Sequence, residues 1–145
     1  MINQVLVVCI GNICRSPMAE GLLRRDLPKI TIVSAGLDAM VGYGADPIAV
    51  EIMAEQGISI ESHRARMITD LLVRQSELIL VMDNAQKEQI LANYPYTRGK
   101  VFRLGESLNQ DIPDPFRQSA EVFRTSFDLI NRGCQAWLKK INSIS

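Results

Sequence analysis

No part of this chain stays apolar for long: the longest unbroken run, Val5 to Ile10, has six residues, far short of the roughly 18 a membrane-spanning helix requires. No basic segment with a cleavage site precedes it, so a cytoplasmic protein without stable membrane insertion is expected. Excess charge is lacking too, since 16 Lys and Arg residues balance 16 Asp and Glu residues. A generally basic surface able to hold nucleic acid or anionic lipid by counterion release is thereby excluded, and any anion site has to be local. Three cysteines fit no disulfide framework and leave one necessarily unpaired, which suits a reducing compartment. Cys9 and Cys14 are not spaced as Cys-x-x-Cys, and a single histidine with the distant Cys134 does not complete a tetrahedral zinc site. Internal repeats, linkers and low-complexity tracts are also missing. What is present is a chain of 145 residues with 47% hydrophobic composition, enough to bury a core, and one domain over residues 1–145 is expected.

Val5-Leu6-Val7-Val8-Cys9 is short, β-branched and uninterrupted, the pattern of a parallel strand buried on both faces, and it stops at Gly11. Ser16-Pro17 then offers an N-cap and a first-position proline, and Met18, Leu22 and Leu23 form a helical stripe to about Leu27. Ile30 to Val33 reads as a second strand ending at Ser34-Ala35-Gly36. Leu37 to Ala45 is a glycine-punctuated loop, and Asp46-Pro47 caps a helix with Ile48, Ile52 and Met53 inward, ending near Gly57. A short helix over Thr69 to Arg74, a strand from Leu78 to Met82, a helix from Asp83 or Asn84 through Leu91, and a strand from Val101 to Leu104 follow. Phe123, Phe127, Ile130, Cys134, Trp137 and Ile141 alternate in steps of four and three, marking a long amphipathic helix. Strands alternating with helices predict an α/β fold: three layers, with a four-stranded parallel sheet flanked by helices and a phosphate loop after the first strand.

Cys9-Ile10-Gly11-Asn12-Ile13-Cys14-Arg15-Ser16 lies between that first strand and the first helix. Successive backbone N–H groups of such a loop converge on an anion, the helix adds the positive end of its dipole, and the Arg15 guanidinium forks onto two oxygens. The same field acts on Cys9. A thiol ordinarily titrates near pH 8.5, and a helix N-terminus with an adjacent arginine lowers that, so a thiolate nucleophile is expected at neutral pH. Gly11 allows close backbone approach or a positive φ, and Ser16 can donate its hydroxyl to the Cys9 sulfur. A cysteine closing a buried strand is ordinarily a small hydrophobe; cysteine, glycine and arginine at this spacing ahead of Ser-Pro favour catalysis. Breaking a phosphate ester with a poor leaving group also needs a proton donor facing the loop. Asp114, stiffened between Pro113 and Pro115, is the best-placed supplier in the sequence, although composition alone favours an ordinary turn aspartate there.

The segment Cys9 to Pro17, with Ala19-Glu20 after it, resembles the low-molecular-weight protein tyrosine phosphatases and is close to their bacterial branch. The likeness extends to Ser34-Ala35-Gly36, Asp46-Pro47, His63 with Ala65-Arg66, Met82-Asp83 and Asp114-Pro115, so it covers nearly the whole chain. It implies a phosphoric monoester hydrolase that needs no metal or cofactor. Cys9 would attack phosphorus in line, Asp114 would protonate the leaving oxygen, and water would then hydrolyse the phosphocysteine with Asp114 as base and Arg15 stabilising the equatorial oxygens. It further implies that Asn12, in a left-handed conformation, with Ser16, Ser34 and His63, supports the loop. For His63 the plainer reading is a surface turn histidine. Cys14 would be a redox partner, trapping oxidised Cys9 as a reversible disulfide.

Ile10 to Cys14 and Ser16 are expected to surround the phosphate, with Ile13, Met40 and Phe116 forming an apolar slot for an aromatic ring. Similar proteins that remove phosphate from arginine carry threonine where Ile13 stands, so the resemblance favours phosphotyrosine. Phe116 and Arg117 stand where many relatives have tyrosines, which excludes regulation by phosphorylation at Phe116. The bacterial branch implies a tyrosine autokinase of exopolysaccharide or capsule production as the phosphotyrosine partner. Arsenate reductases of the same fold use two further cysteines near residues 80–90, and this chain has none there. A noncatalytic anion-binding module would have no use for both a thiol and a placed acid.

Overall fold

The strand β1 (Gln4–Cys9) occupies the middle of a four-stranded parallel sheet in this computed structural model, which describes residues 1–144. Its neighbours are β2 (Thr31–Gly36) on one side and β3 (Leu78–Val81) on the other, and β4 (Val101–Arg103) lies beyond β3. The uninterrupted apolar run of β1 is explained by burial on both faces. Val5 and Val7 belong to one core with Leu80 and Met82, while Leu6 and Val8 pack with Ile79 and Val81 in the other.

Helices cover both faces, giving the expected three layers. On one face lie α1 (Arg15–Asp26), α2 (Pro47–Glu55) and α5 (Ala120–Ser143). On the other, α3 (Asp70–Gln75) contributes Val73 and α4 (Asn84–Asn93) contributes Ile90. All six stripe residues of α5, from Phe123 to Ile141, are buried, each such burial being worth about 1.5–3 kcal/mol before entropy is counted. Asp46, Thr69, Asp83 and Ser119 cap their helices by accepting from Ile48, Leu72, Gln86 and Val122 N–H respectively. Among the described residues, no helix is long and apolar enough to cross a membrane.

Several boundaries differ from expectation. Ser16 does not cap α1: the helix begins at Arg15 with Cys14 at the cap position and no side-chain cap bond, because the Ser16 hydroxyl is engaged by Cys9 and Asn12. β2 starts one residue later than Ile30 and continues through Gly36, since Ser34, Ala35 and Gly36 pair with Val7, Val8 and Cys9. Ladder bonds come from the backbone, so small side chains do not stop them. In α2, Ala49 rather than Ile48 is fully buried with Ile52 and Met53. Short 3-10 turns at Pro95–Thr97 and Glu106–Leu108 carried no distinct sequence signal.

From β1 the chain crosses to β2 on one side and later to β3 on the other. The order therefore reverses between β1 and β3, where parallel sheets open a crevice beyond the carboxyl ends of their strands. The segment after Cys9 enters that crevice.

Candidate active site

Residues 10–14 turn β1 into α1, and the carbonyls of residues 9–13 are held from outside. Leu37 N–H donates to Cys9 O, Asp38 to Ile10 O, Met40 to Gly11 O and Asp46 to Ile13 O, at 2.8 to 3.0 Å. The remaining carbonyl, Asn12 O, accepts from His63 Nε2 at 2.6 Å. A trans peptide sets each N–H opposite the preceding C=O. Five consecutive carbonyls drawn outward thus turn the N–H groups of Ile10 to Cys14 toward the hollow that Cys9 and Arg15 share, which is the array an anion requires.

Asn12 takes the positive φ, at 59°. The alternative expectation, that Gly11 supplies it, is corrected: Gly11 is not among the positive-φ residues, and a Cβ there would make ordinary contact with Ile13 and Met40 at 3.7 and 3.8 Å. The close approach lies instead at Gly36, where a Cβ would come within 2.4 Å of Ile10 O. Asn12 is fully buried. Its Nδ2 donates to Ser16 Oγ at 2.8 Å and Ser34 Oγ at 3.0 Å, and its Oδ1 accepts from Arg66 N–H at 3.0 Å. Ser34 Oγ in turn donates to Glu20 Oε1 at 2.6 Å.

Arg15 is 2% exposed. Its Nη1 donates to Ile112 O at 2.9 Å and lies 3.6 Å from Asp83 Oδ2, while Nη2 lies 3.6 Å from Asp114 Oδ2. A backbone carbonyl therefore aims the guanidinium while two carboxylates flank it. Asp114 is held less tightly: its Oδ1 accepts from Phe116 N–H at 3.1 Å, and 48% of the side chain is exposed.

Cys9, Arg15 and Asp114 meet in a pocket of about 220 Å³. Ile10, Gly11, Ile13, Cys14, Met40 and Phe116 also line it, and Arg117 stacks its guanidinium 5.3 Å over the Phe116 ring. Asn12 and Ser16 do not line it. They lie beneath the loop with Ser34, and His63 stands at its outer side. All three cysteines are free thiols. Burial, with Asp46, Cys9 and Asp114 as negative neighbours, pushes the Cys14 thiol up, and burial does the same to Cys134, whose sulfur faces Ala19 O.

Sequence reasoning named no role for Glu20, Arg66, Asp83 or Asp38. Glu20 stands in the Ala19-Glu20 pair just after the loop, Arg66 in the Ala65-Arg66 pair, and Asp83 in the Met82-Asp83 pair and at a helix start. Asp38 lines the pocket from within the glycine-punctuated loop and carried no signal. No group of three or more His, Cys, Asp or Glu side chains able to hold a metal ion occurs among the described residues.

The family model described as "Low molecular weight phosphotyrosine protein phosphatase" matches residues 4–144. The chain is 51% identical over 144 residues to "Probable low molecular weight protein-tyrosine-phosphatase EpsP" of Ralstonia nicotianae, covering 99% of each chain. Among solved structures it resembles Vibrio vulnificus Wzb in complex with benzylphosphonate, with TM-score 0.91, 41% identity and coverage of 95% of this chain and 98% of that one. The YwlE arginine phosphatase of Geobacillus stearothermophilus is also similar, at TM-score 0.90 and 31% identity, covering 97% of this chain and 93% of that one.

Proposed function

The chain belongs to the low molecular weight protein-tyrosine-phosphatase family, and from that premise we propose that Cys9, Arg15 and Asp114 carry its hydrolytic chemistry on phosphotyrosine. The observation that carries this reading is convergence. A thiol at position 9, a guanidinium at 15 and a carboxyl at 114 share one small pocket, with Arg15 and Asp114 3.6 Å apart.

The first step forms a sulfur–phosphorus bond as the Cys9 thiolate attacks in line, while the ester P–O bond breaks and the Asp114 proton passes to the departing phenolate. Water then attacks the phosphocysteine, Asp114 takes its proton, and the thiolate leaves with orthophosphate as product. In both transition states Arg15 and the N–H groups of residues 10–14 stabilise charge on the equatorial oxygens. Ser16 donates to the sulfur as nucleophile and as leaving group. Ile13, Met40 and Phe116 suit an aromatic ring. Cys14 serves as the redox partner: if peroxide converts Cys9 to its sulfenic acid, the Cys14 thiol displaces water to give a disulfide that added thiol reverses.

The partner is a phosphotyrosine protein, and the likeness to EpsP and Wzb supports a bacterial tyrosine autokinase of exopolysaccharide or capsule production, acting in the cytoplasm. Peptides bearing phosphotyrosine, phosphoserine or phosphoarginine, assayed side by side, test the substrate class; preference for phosphoarginine overturns it. With an aryl phosphate, Cys9→Ser should abolish turnover, and Asp114→Asn should lower it by about 10²–10⁴. Turnover by Cys9→Ser at the parent rate would refute the mechanism.

A further inference from the structure

We propose that the groove between α1 and residues 57–66 is a second anion site, which takes a small molecule bearing several phosphates, such as a nucleoside triphosphate or an inorganic polyphosphate. The groove measures about 610 Å³, against about 220 Å³ for the catalytic pocket, and the two share no lining residue. Its walls carry Arg24, Arg25, Arg64 and Arg66 with Glu20 as the one lining carboxylate, and Arg25 is also paired with Asp26 at 3.0 Å. In a chain with zero net charge this is a pronounced local excess of positive charge.

The manner in which these arginines are held matters more than their number. Arg24 rests Nε and Nη2 on Ile32 O, Arg66 rests Nε on Ser34 O, and Arg64 rests Nη1 on Glu61 O and His63 O. Carbonyl anchors orient a guanidinium without cancelling its charge. Among the described residues, Nη1 of Arg24, Nη2 of Arg64 and both terminal nitrogens of Arg66 have no hydrogen-bond partner. Glu20 neutralises little beyond Arg24, its Oε2 lying 2.6 Å from Arg24 Nη2 while Oε1 takes the Ser34 hydroxyl. The oriented guanidinium groups of Arg64 and Arg66, which no carboxylate pairs among the described residues, favour phosphate oxygens, and the volume matches a nucleotide better than a single orthophosphate. Ser34 and His63 belong to this groove and also bond Asn12, so an occupant touches the supports of the catalytic loop.

Calorimetric titration of the enzyme saturated with benzylphosphonate, which reserves the catalytic pocket, tests the proposal with ATP, tripolyphosphate and adenosine as separate probes. One saturable event is expected with ATP or tripolyphosphate and none with adenosine; ATP well ahead of tripolyphosphate assigns a nucleotide, and parity assigns a polyphosphate. Arg25→Gln combined with Arg64→Gln should weaken that event about tenfold or more while hydrolysis of an aryl phosphate proceeds at the parent rate, which separates failure here from failure of the catalytic reading. Loss of the event under benzylphosphonate, indifference to the two substitutions, or binding of an acidic peptide in place of both phosphate probes would each overturn the assignment.

Discussion

Ser16 Oγ lies 2.9 Å from Cys9 Sγ, and the serine donates that bond when the sulfur is a thiolate, which has no hydrogen to give. Asn12 leaves the hydroxyl hydrogen available for this, since its two amide hydrogens point at the Ser16 and Ser34 oxygens. Ser34 sends its own hydrogen to Glu20, and the Ser16 hydrogen is left for the sulfur. Ser16→Ala should therefore lower kcat on an aryl phosphate by about 10–100-fold, the equivalent of about 1.5–3 kcal/mol for a bond to a charged group. Steady-state kinetics check this, and an unchanged kcat would mean that the bond does not bear on the sulfur's reactivity.

Asn12 combines a left-handed backbone with side-chain bonds to two serines and the Arg66 amide. Glycine at this position keeps the backbone and loses the side-chain bonds; alanine loses both. Thermal unfolding should rank the parent above Asn12→Gly and Asn12→Gly above Asn12→Ala. The first gap should be about 1–3 kcal/mol for stranded buried partners, and the second about 1–2 kcal/mol for the left-handed strain. An alanine variant as stable as the glycine variant would remove the conformational part of the explanation.

Burial pushes both the Cys14 and Cys134 thiols up, whereas Cys9 faces Ser16 Oγ and the start of α1. Brief iodoacetamide treatment at neutral pH should accordingly label Cys9 and leave the other two unmodified, as read by peptide mass spectrometry. Activity should fall in step with Cys9 labelling. Prior labelling of Cys14 would contradict the assigned order of reactivity.

Arg103 bonds Glu106 and Asp111 at the entry to the loop that carries Asp114. The Arg103 hydrogen bond is the main cause holding the Glu106 carboxyl below its usual range. A depressed carboxylate contributes stability that is complete above the ordinary glutamate value of about 4.3 and fades as pH falls through the lower folded value. At pH 7 the parent should exceed Glu106→Gln in Tm by an amount equivalent to under about 1 kcal/mol, given the partial exposure of the pair. Scanning calorimetry from pH 7 to pH 3 should show the two converging on the acid side; a gap that widens there would have the wrong sign.

Residues 9–17 were legible from sequence because the nucleophile, the guanidinium and the helix start are contiguous, and local spacing carries most of their chemistry. The α5 stripe was legible for a similar reason, since helical periodicity needs no knowledge of the partner surface. Asp114 is reachable only by asking what the leaving group needs and by resemblance, as its nearness to Arg15 spans about two-thirds of the chain.

By itself, then, the sequence determined an α/β alternation, a local anion loop with a thiol in it, and a reaction class. Tertiary structure alone decided the orientation of that loop. Residues 37–46 and His63 draw its carbonyls outward, Asn12 ties Ser16 to Ser34, and Ile112 O aims Arg15. These contacts run largely through backbone atoms, which every residue type carries alike. No pattern of side chains along the chain announces them, and they exist only once distant segments have folded against one another.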